Sequence, residues 1–239
     1  MLDDYKDMVR IYHENRRNSY LGQIPQKIFS LENIIELEKN QKEYNPSIEK
    51  LRLLSVENKL PKEDYSRLYE ILVDKSDDFN KSHKGMVSES KREKLRTFLK
   101  TNLKTDILNI LYDSSNGIDK FDKLFRLFLK KTSFFSENFK SLTIYDTVVY
   151  LAYFNDVKPN KVYLHAGTLD GVRALAIPKT TVSEDDYTIT KDQIKQNNQD
   201  LYTAIVDLEY YKLEDFFCLA KDGKDNMSKR CLQAAKGDC

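Results

Sequence analysis

The sequence predicts a mainly α protein, a multi-helix globular bundle with at most one or two short strands, near residues 161–165 and 187–190. Three observations carry that expectation. The 239 residues include only 7 Gly and 5 Pro, too few turn formers for a sandwich or barrel of many short strands. Apolar residues recur at three- and four-residue spacing over long stretches, which places them on one face of a helix. Charged residues make up 32% and hydrophobic ones 40%, the balance of helices that bury one stripe and solvate the rest. A chain of this length can bury a sizeable core in one large domain or two small ones.

Tyr5, Met8, Val9 and Tyr12 share a face and predict a helix over 3–15, ended by the turn at Gly22 and Pro25. Ser30 is placed to cap a helix over 31–41 that carries Leu31, Ile34, Ile35 and Leu37 on one side. Asn45-Pro46 marks a turn before a short helix over 47–56. Pro61, followed by Glu63 and Asp64, opens a helix whose stripe is Tyr65, Leu68, Tyr69, Leu72 and Val73. The polar run 74–90 reads as a linker. Ser90 and Glu93 match a capping box at the head of a long helix reaching Tyr112, with Leu95, Leu99, Leu103, Ile107 and Ile110 as its stripe. Asp113 to Gly117 stops it. Phe121, Leu124, Phe125 and Phe128 then define a second basic helix over 119–131.

Thr143 and Asp146 form a further capping box before the apolar run VVYLAYF, read as helix although Val148, Val149 and Tyr150 equally suit a strand. A β-like start at Val162 leads through LHAGT to a helix over 169–176, capped by Thr168 and ended by Pro178. A strand at 187–190, one or two helices over 201–219, and a polar tail from Lys221 with a final helical turn near Leu232 complete the chain. The expected organisation is an N-terminal helical region (1–80), a main helical core (90–220) holding the 161–177 turn-helix, and the polar tail (221–239), in one or two domains.

Net charge is +1, but it is segregated: residues 81–131 hold 13 Lys/Arg against 6 Asp/Glu, a net of +7, between flanks that are each net −3. Such a block is either an anion-binding face or a docking site for the acidic flanks. Cys218, Cys231 and Cys239 form no CxxC pair, so no zinc or redox motif is read, and a reducing, intracellular compartment (cytoplasmic or nuclear) is expected. Cys218, in FFCLA, reads as a small buried hydrophobe. The acidic start lacks the apolar core of a secretory signal, and no apolar run approaches the roughly 18 residues of a membrane span. Three histidines exclude a His-rich metal site, and neither metal nor cofactor is expected. The acidic pairs at Glu184-Asp185-Asp186 and Glu214-Asp215 have no histidine nearby in sequence to support acid–base chemistry. His13 and His83 read as surface residues.

The least ordinary window is VYLHAGTLDGVRAL, residues 162–175. An apolar element delivers His165 to a small-residue turn, Thr168 stands where a helix is to begin, and Gly171 admits another backbone or a ligand. Unpaired amides at a helix start favour an anion. Lys161, His165, Gly167, Thr168, Gly171 and Arg173 are therefore the ligand candidates, with a phosphate-bearing molecule as the specific expectation. The simpler reading is a capped helix following a packed turn. Over fewer than a dozen residues, LHAGT resembles the strand that presents a His-Gly-Thr triplet in ADP-ribosyltransferases, with Ala166 interrupting the triplet. That resemblance implies a nicotinamide dinucleotide held at His165, a fold with several further strands, and a late glutamate, for which Glu209 and Glu214 are available.

Arg92, Arg96, Lys100 and Lys104 recur every four residues and make a row that could track the phosphates of a nucleic acid. Glu93 and Asp106 share that helix, and a solvated face flanking an apolar stripe gives the same pattern. The run FDKLFRLFLKKTSFF is basic and amphipathic, but Leu127 and Leu129 lie off its main stripe, which fits a core helix better than a membrane-surface one. The sequence thus leads to a non-enzymatic helical protein that binds a macromolecular partner, a protein first. The alternatives are a nucleotide- or phosphate-binding enzyme using the His165–Thr168 turn, and nucleic-acid binding through the basic 91–131 region.

Overall fold

The computed structural model describes residues 1–16, 69–70, 73, 89–112, 120–131, 144–149, 151–152, 157–178 and 188–236. The expected helices over 31–41 and 47–56, most of the one after Pro61, nearly all of the 74–90 linker, the stop at 113–117, the cap Thr143, the acidic run 184–186, His83 and Cys239 lie outside the described residues.

The described residues are mainly helical. In chain order they form α1 (Leu2–Arg16), α2 (Glu89–Phe98), a π-helical turn (Leu99–Leu103), α3 (Lys104–Tyr112), α4 (Lys120–Lys131), β1 (Val162–Tyr163), α5 (Ala166–Leu175), β2 (Thr188–Ile189), α6 (Lys191–Asn197), α7 (Gln199–Ile205), α8 (Tyr210–Ala220) and α9 (Lys224–Lys236). Residues 144–149 and 151–152 are helical too, so in VVYLAYF the helix reading holds over these residues despite Val148 and Val149. The sheet is one antiparallel pair, with Val162 opposite Ile189 and Tyr163 opposite Thr188.

The chain divides into two compact units. Unit 1 is Met1–Gly22, Thr132–Tyr145 and Lys158–Cys239; unit 2 is Gln23–Lys131 and Asp146–Val157. Residues 1–80 therefore do not group together: α1 joins the C-terminal region. Its stripe explains why, since Met8 and Tyr12 are buried among the C-terminal helices and Tyr12 meets Phe216 edge-on at 5.9 Å. An apolar stripe specifies that a helix is buried, not which helices cover it.

In unit 1, α1 packs on α7, α8 and α9, and α5 lies along α8. The core includes Val162, Val172, Ile194, Leu201, Ile205, Phe216 and Phe217, and burying each large side chain contributes about 1.5–3 kcal/mol. Two elements depart from expectation. The segment before 201 holds α6, which starts at a full capping box: Thr190 accepts from the Gln193 amide while the Gln193 side chain accepts from the Thr190 amide. The polar tail is instead α9, reached through Gly223 at φ +82°, a conformation that glycine adopts without penalty. Met227 and Cys231, a turn apart, are its described side chains in the core.

In unit 2, Leu99, Leu103, Ile107 and Leu111 are buried. A row repeating every four residues drifts around an α-helix, and the wider π turn over Leu99–Leu103 keeps it facing inward. Leu111 accordingly takes the buried place expected for Ile110, which is half-buried. The Tyr69 hydroxyl donates to the Leu99 carbonyl at 2.8 Å within that turn. Helix α4 packs on α3 and buries Phe121, Leu124, Phe125 and Phe128 on one side, while Leu127 and Leu129 are half-buried and its other side is exposed.

Candidate functional site

The window 162–175 builds a buried polar cluster in unit 1. Strand β1 ends at Tyr163, and Leu164 and His165 continue extended into α5, whose N-cap is His165 at φ −122°, ψ 172°. The helix thus begins at Ala166, three residues earlier than expected, and Gly167 and Gly171 lie where α5 meets α8. Thr168 is consequently inside the first turn and is no cap. No side chain caps α5.

Thr168 turns inward and is 0% exposed. Its hydroxyl donates to Glu214 Oε1 at 2.6 Å and lies 3.4 Å from the Glu214 carbonyl. The same Oε1 is ion-paired with His165 Nε2, and the Thr168 hydroxyl is 3.3 Å from that nitrogen. His165 and Glu214 are each 5% exposed, so this pair works in a low-dielectric interior where attraction and desolvation are both large. The His165 ring sits 5.6 Å from the Tyr145 ring, which in turn is 5.7 Å from Tyr163. In this contact an imidazole N–H is the donor and the carboxylate oxygen the acceptor.

Glu214 therefore supplies the negative charge expected next to the start of α5, from inside the chain. Local sequence does not place it there: 46 residues separate Thr168 from Glu214, and only the resemblance named Glu214, beside Glu209, as an available late glutamate.

The remaining candidates do not gather at this cluster. At about 100° per residue, Arg173 lies about 140° around α5 from Thr168, and it is exposed where Thr168 is buried. Lys161 is half-buried at the start of β1. Gly171 is required by another backbone and not by a ligand, since a Cβ there would stand 1.9 Å from the Phe217 carbonyl oxygen of α8. Gly167 faces Cys218 in the same way, with the sulfur 2.6 Å from where a Cβ would be. Cys218 is half-buried, more open than a core hydrophobe, because it fills this gap at the edge of the α5–α8 contact.

The basic candidates fall in unit 2. Arg96 is ion-paired with Glu93, and Lys104 with Glu70, so acids already neutralise two members of the row. Lys100 is exposed on the π turn, and Arg92 lies within α2. On α4 too a cation is paired, Arg126 with Asp122. Every exposed residue of that helix is cationic: Lys123, Arg126, Lys130 and Lys131. Its one acid, Asp122, is buried and accepts from Arg126 Nε at 2.6 Å.

Among the described residues no three His, Cys, Asp or Glu side chains gather as metal ligands, and no helix is long and apolar enough to cross a membrane. In comparisons with known proteins the chain matches no protein-family model, no curated protein and no solved structure. The several further strands that the ADP-ribosyltransferase resemblance implies are not present among the described residues, which hold one two-stranded sheet.

Proposed function

We propose that this protein is a non-enzymatic binding protein that engages an anionic macromolecular partner through unit 2. The observation that carries this reading is the outer face of α4, where each exposed position is Lys or Arg and the only acid is turned inward. A helix that buries a phenylalanine-rich stripe needs a polar outer face, but it does not need one of a single sign, and mixed charge is the usual solution. A single-sign face raises the local concentration of an oppositely charged partner and speeds its encounter.

Glu214 weighs against the reading of the 162–175 window as a phosphate or nucleotide site. A bound anion would meet a buried carboxylate where His165 and Thr168 converge, and like charges in a low-dielectric interior repel strongly.

Affinity capture from cell extract with the full chain tests the proposal. The expected result is a stoichiometric partner that elutes with salt and is lost with the Lys123→Gln/Lys130→Gln variant. The same capture after nuclease treatment separates a protein from a nucleic acid. If that variant retains every component the unaltered chain retains, the proposal fails.

A further inference from the structure

An aspartate is followed by glycine at two places in the sequence, Asp170-Gly171 and Asp222-Gly223. We propose that the second pair is a site of spontaneous modification. The peptide bond after Asp222 migrates from the main-chain carbonyl carbon to the side-chain carbon Cγ, and the migration slackens the hold on α9.

The step is balanced by water alone. The Gly223 amide nitrogen bonds to Asp222 Cγ while a Cγ–O bond breaks, and that oxygen leaves as water with the amide hydrogen and the carboxyl proton. Water then opens the resulting ring at one of its two carbonyls. Addition at Cγ restores the original chain. Addition at the main-chain carbonyl leaves the chain running through Cβ and Cγ, with a free carboxylate on the former main-chain carbon. Nothing is oxidised or reduced. A glycine favours the attack because it carries no Cβ beside the nucleophilic nitrogen.

Backbone context separates the two pairs. Asp170 and Gly171 lie inside α5, where repeating helical dihedrals and the hydrogen-bond ladder hold each amide away from the preceding carboxyl. Gly171 is also locked against the Phe217 carbonyl. Asp222 and Gly223 lie instead in the connection between α8 and α9. Asp222 is exposed, Gly223 has φ +82°, and a Cβ built there would meet no atom within 4 Å, so this turn has room to rearrange. Three contacts restrain it. The Gly223 amide donates to the Ala220 carbonyl at 2.9 Å, Asn226 Nδ2 donates to the Asp222 carbonyl at 3.3 Å, and the Asp222 carboxylate is ion-paired with Arg230 of α9. Exposed ion pairs hold weakly, and surface turns open locally at low cost.

Ring closure draws the Asp222 carboxyl out of the grip of Arg230, and the product cannot restore that grip, since its carboxylate stands on a different carbon. The product backbone is also longer by one methylene. The residue after Gly223 is Lys224, which fastens α9 to Asp4 and Asp7 of α1, so the change falls at the attachment of α9.

The full chain is aged near neutral pH in heavy-oxygen water, both folded and in urea, and the peptide carrying each pair is isolated and weighed. In urea both pairs are expected to take up heavy oxygen at comparable rates. In the folded chain uptake continues at Asp222 and stops at Asp170. Arg230→Gln speeds uptake at Asp222 about two- to fivefold, the weight of an exposed ion pair. Asp222→Glu keeps a carboxylate for Arg230 but needs a larger ring, and it abolishes uptake at this position. Amide hydrogen exchange over α9 is faster in the aged chain than in the aged Asp222→Glu chain, which corrects for every other site. Folded uptake at Asp170 equal to that at Asp222 overturns the proposal. So does no uptake at Asp222 while the chain in urea converts, or a rate indifferent to Arg230→Gln. Equal exchange over α9 in the two aged chains overturns its loosening.

Discussion

The carbonyl oxygen of Phe217 occupies the space in which any side chain at position 171 would begin. A Cβ on Gly171 would lie 1.9 Å from that oxygen and 2.6 Å from its carbon. This is a contact between the backbones of α5 and α8, and it sets how closely the two helices of the His165 cluster approach. The neighbouring contact, Gly167 against Cys218, uses a side chain instead.

That difference separates the two glycines experimentally. Gly171→Ala has to push α8 away, and overpacking of this kind costs about 1–3 kcal/mol or more. Gly167→Ala meets only a sulfur, so Cys218→Ala in the same chain should recover most of its loss. Urea unfolding of the three single variants and of both double variants that include Cys218→Ala measures the coupling. Rescue of Gly171→Ala by Cys218→Ala to the same extent would contradict the backbone contact.

The His165–Glu214 pair is buried with Thr168 as its third member. Glu214→Met alone leaves an imidazole without its carboxylate and should cost about 3–5 kcal/mol, whereas replacing both members with apolar residues is often close to neutral. His165→Leu/Glu214→Met should therefore be more stable than Glu214→Met, by denaturant midpoint at constant slope. A double variant at the sum of the two single losses would mean that the pair is not coupled.

Tyr69 donates to the Leu99 carbonyl inside the π turn, and burial pushes its hydroxyl well above the ordinary tyrosine value. A tyrosine raised in this way stabilises unit 2 fully below the ordinary tyrosine pKa, and the contribution is lost as pH rises through the folded value. Tyr69→Phe should cost about 1 kcal/mol through the lost hydrogen bond. Absorbance titration of the folded chain and of folded Tyr69→Phe should show the same ionisation over the range in which exposed tyrosines titrate; one ionising tyrosine fewer in Tyr69→Phe over that range would refute the burial of Tyr69.

Lys224 ties α9 to α1 through Asp7 at 2.8 Å and Asp4 at 3.3 Å. Hydrogen bonding and charge attraction from Lys224 hold the Asp7 carboxyl below its usual range, and hydrogen bonds from Asp7 and Asp4 raise the Lys224 ammonium. The carboxylate contribution is present above the ordinary Asp value and is lost as pH falls through the lowered one. The ammonium contribution is present below the ordinary Lys value and is lost as pH rises through the raised one. A double-mutant cycle of Asp7→Asn and Lys224→Gln should give a small favourable coupling between these limits that fades with added salt. A coupling unchanged by salt would rule out an exposed ion pair.

Periodicity alone determined much of this protein. Met8 and Tyr12 in α1 and the four apolar anchors of α4 are buried as their spacing requires, because a helix repeats every 3.6 residues whatever covers it, while Leu99, Leu103 and Ile107 needed the π turn to stay on one face. The two short strands were legible near their observed places from residues that favour extended backbone, Val162 and Tyr163 in one and Thr188 and Ile189 in the other. Other local signals were present but faint: Thr190 and Gln193 mark the start of α6, and α9 shows too few apolar residues to declare itself. What tertiary structure alone decided are the partnerships. That α1 packs with helices beyond residue 190, that Glu214 closes on His165 and Thr168, that Glu70 neutralises Lys104, and that Phe217 excludes a side chain at Gly171 all join residues far apart in sequence. Such contacts depend on which faces meet after the chain has collapsed, and no local spacing encodes that choice.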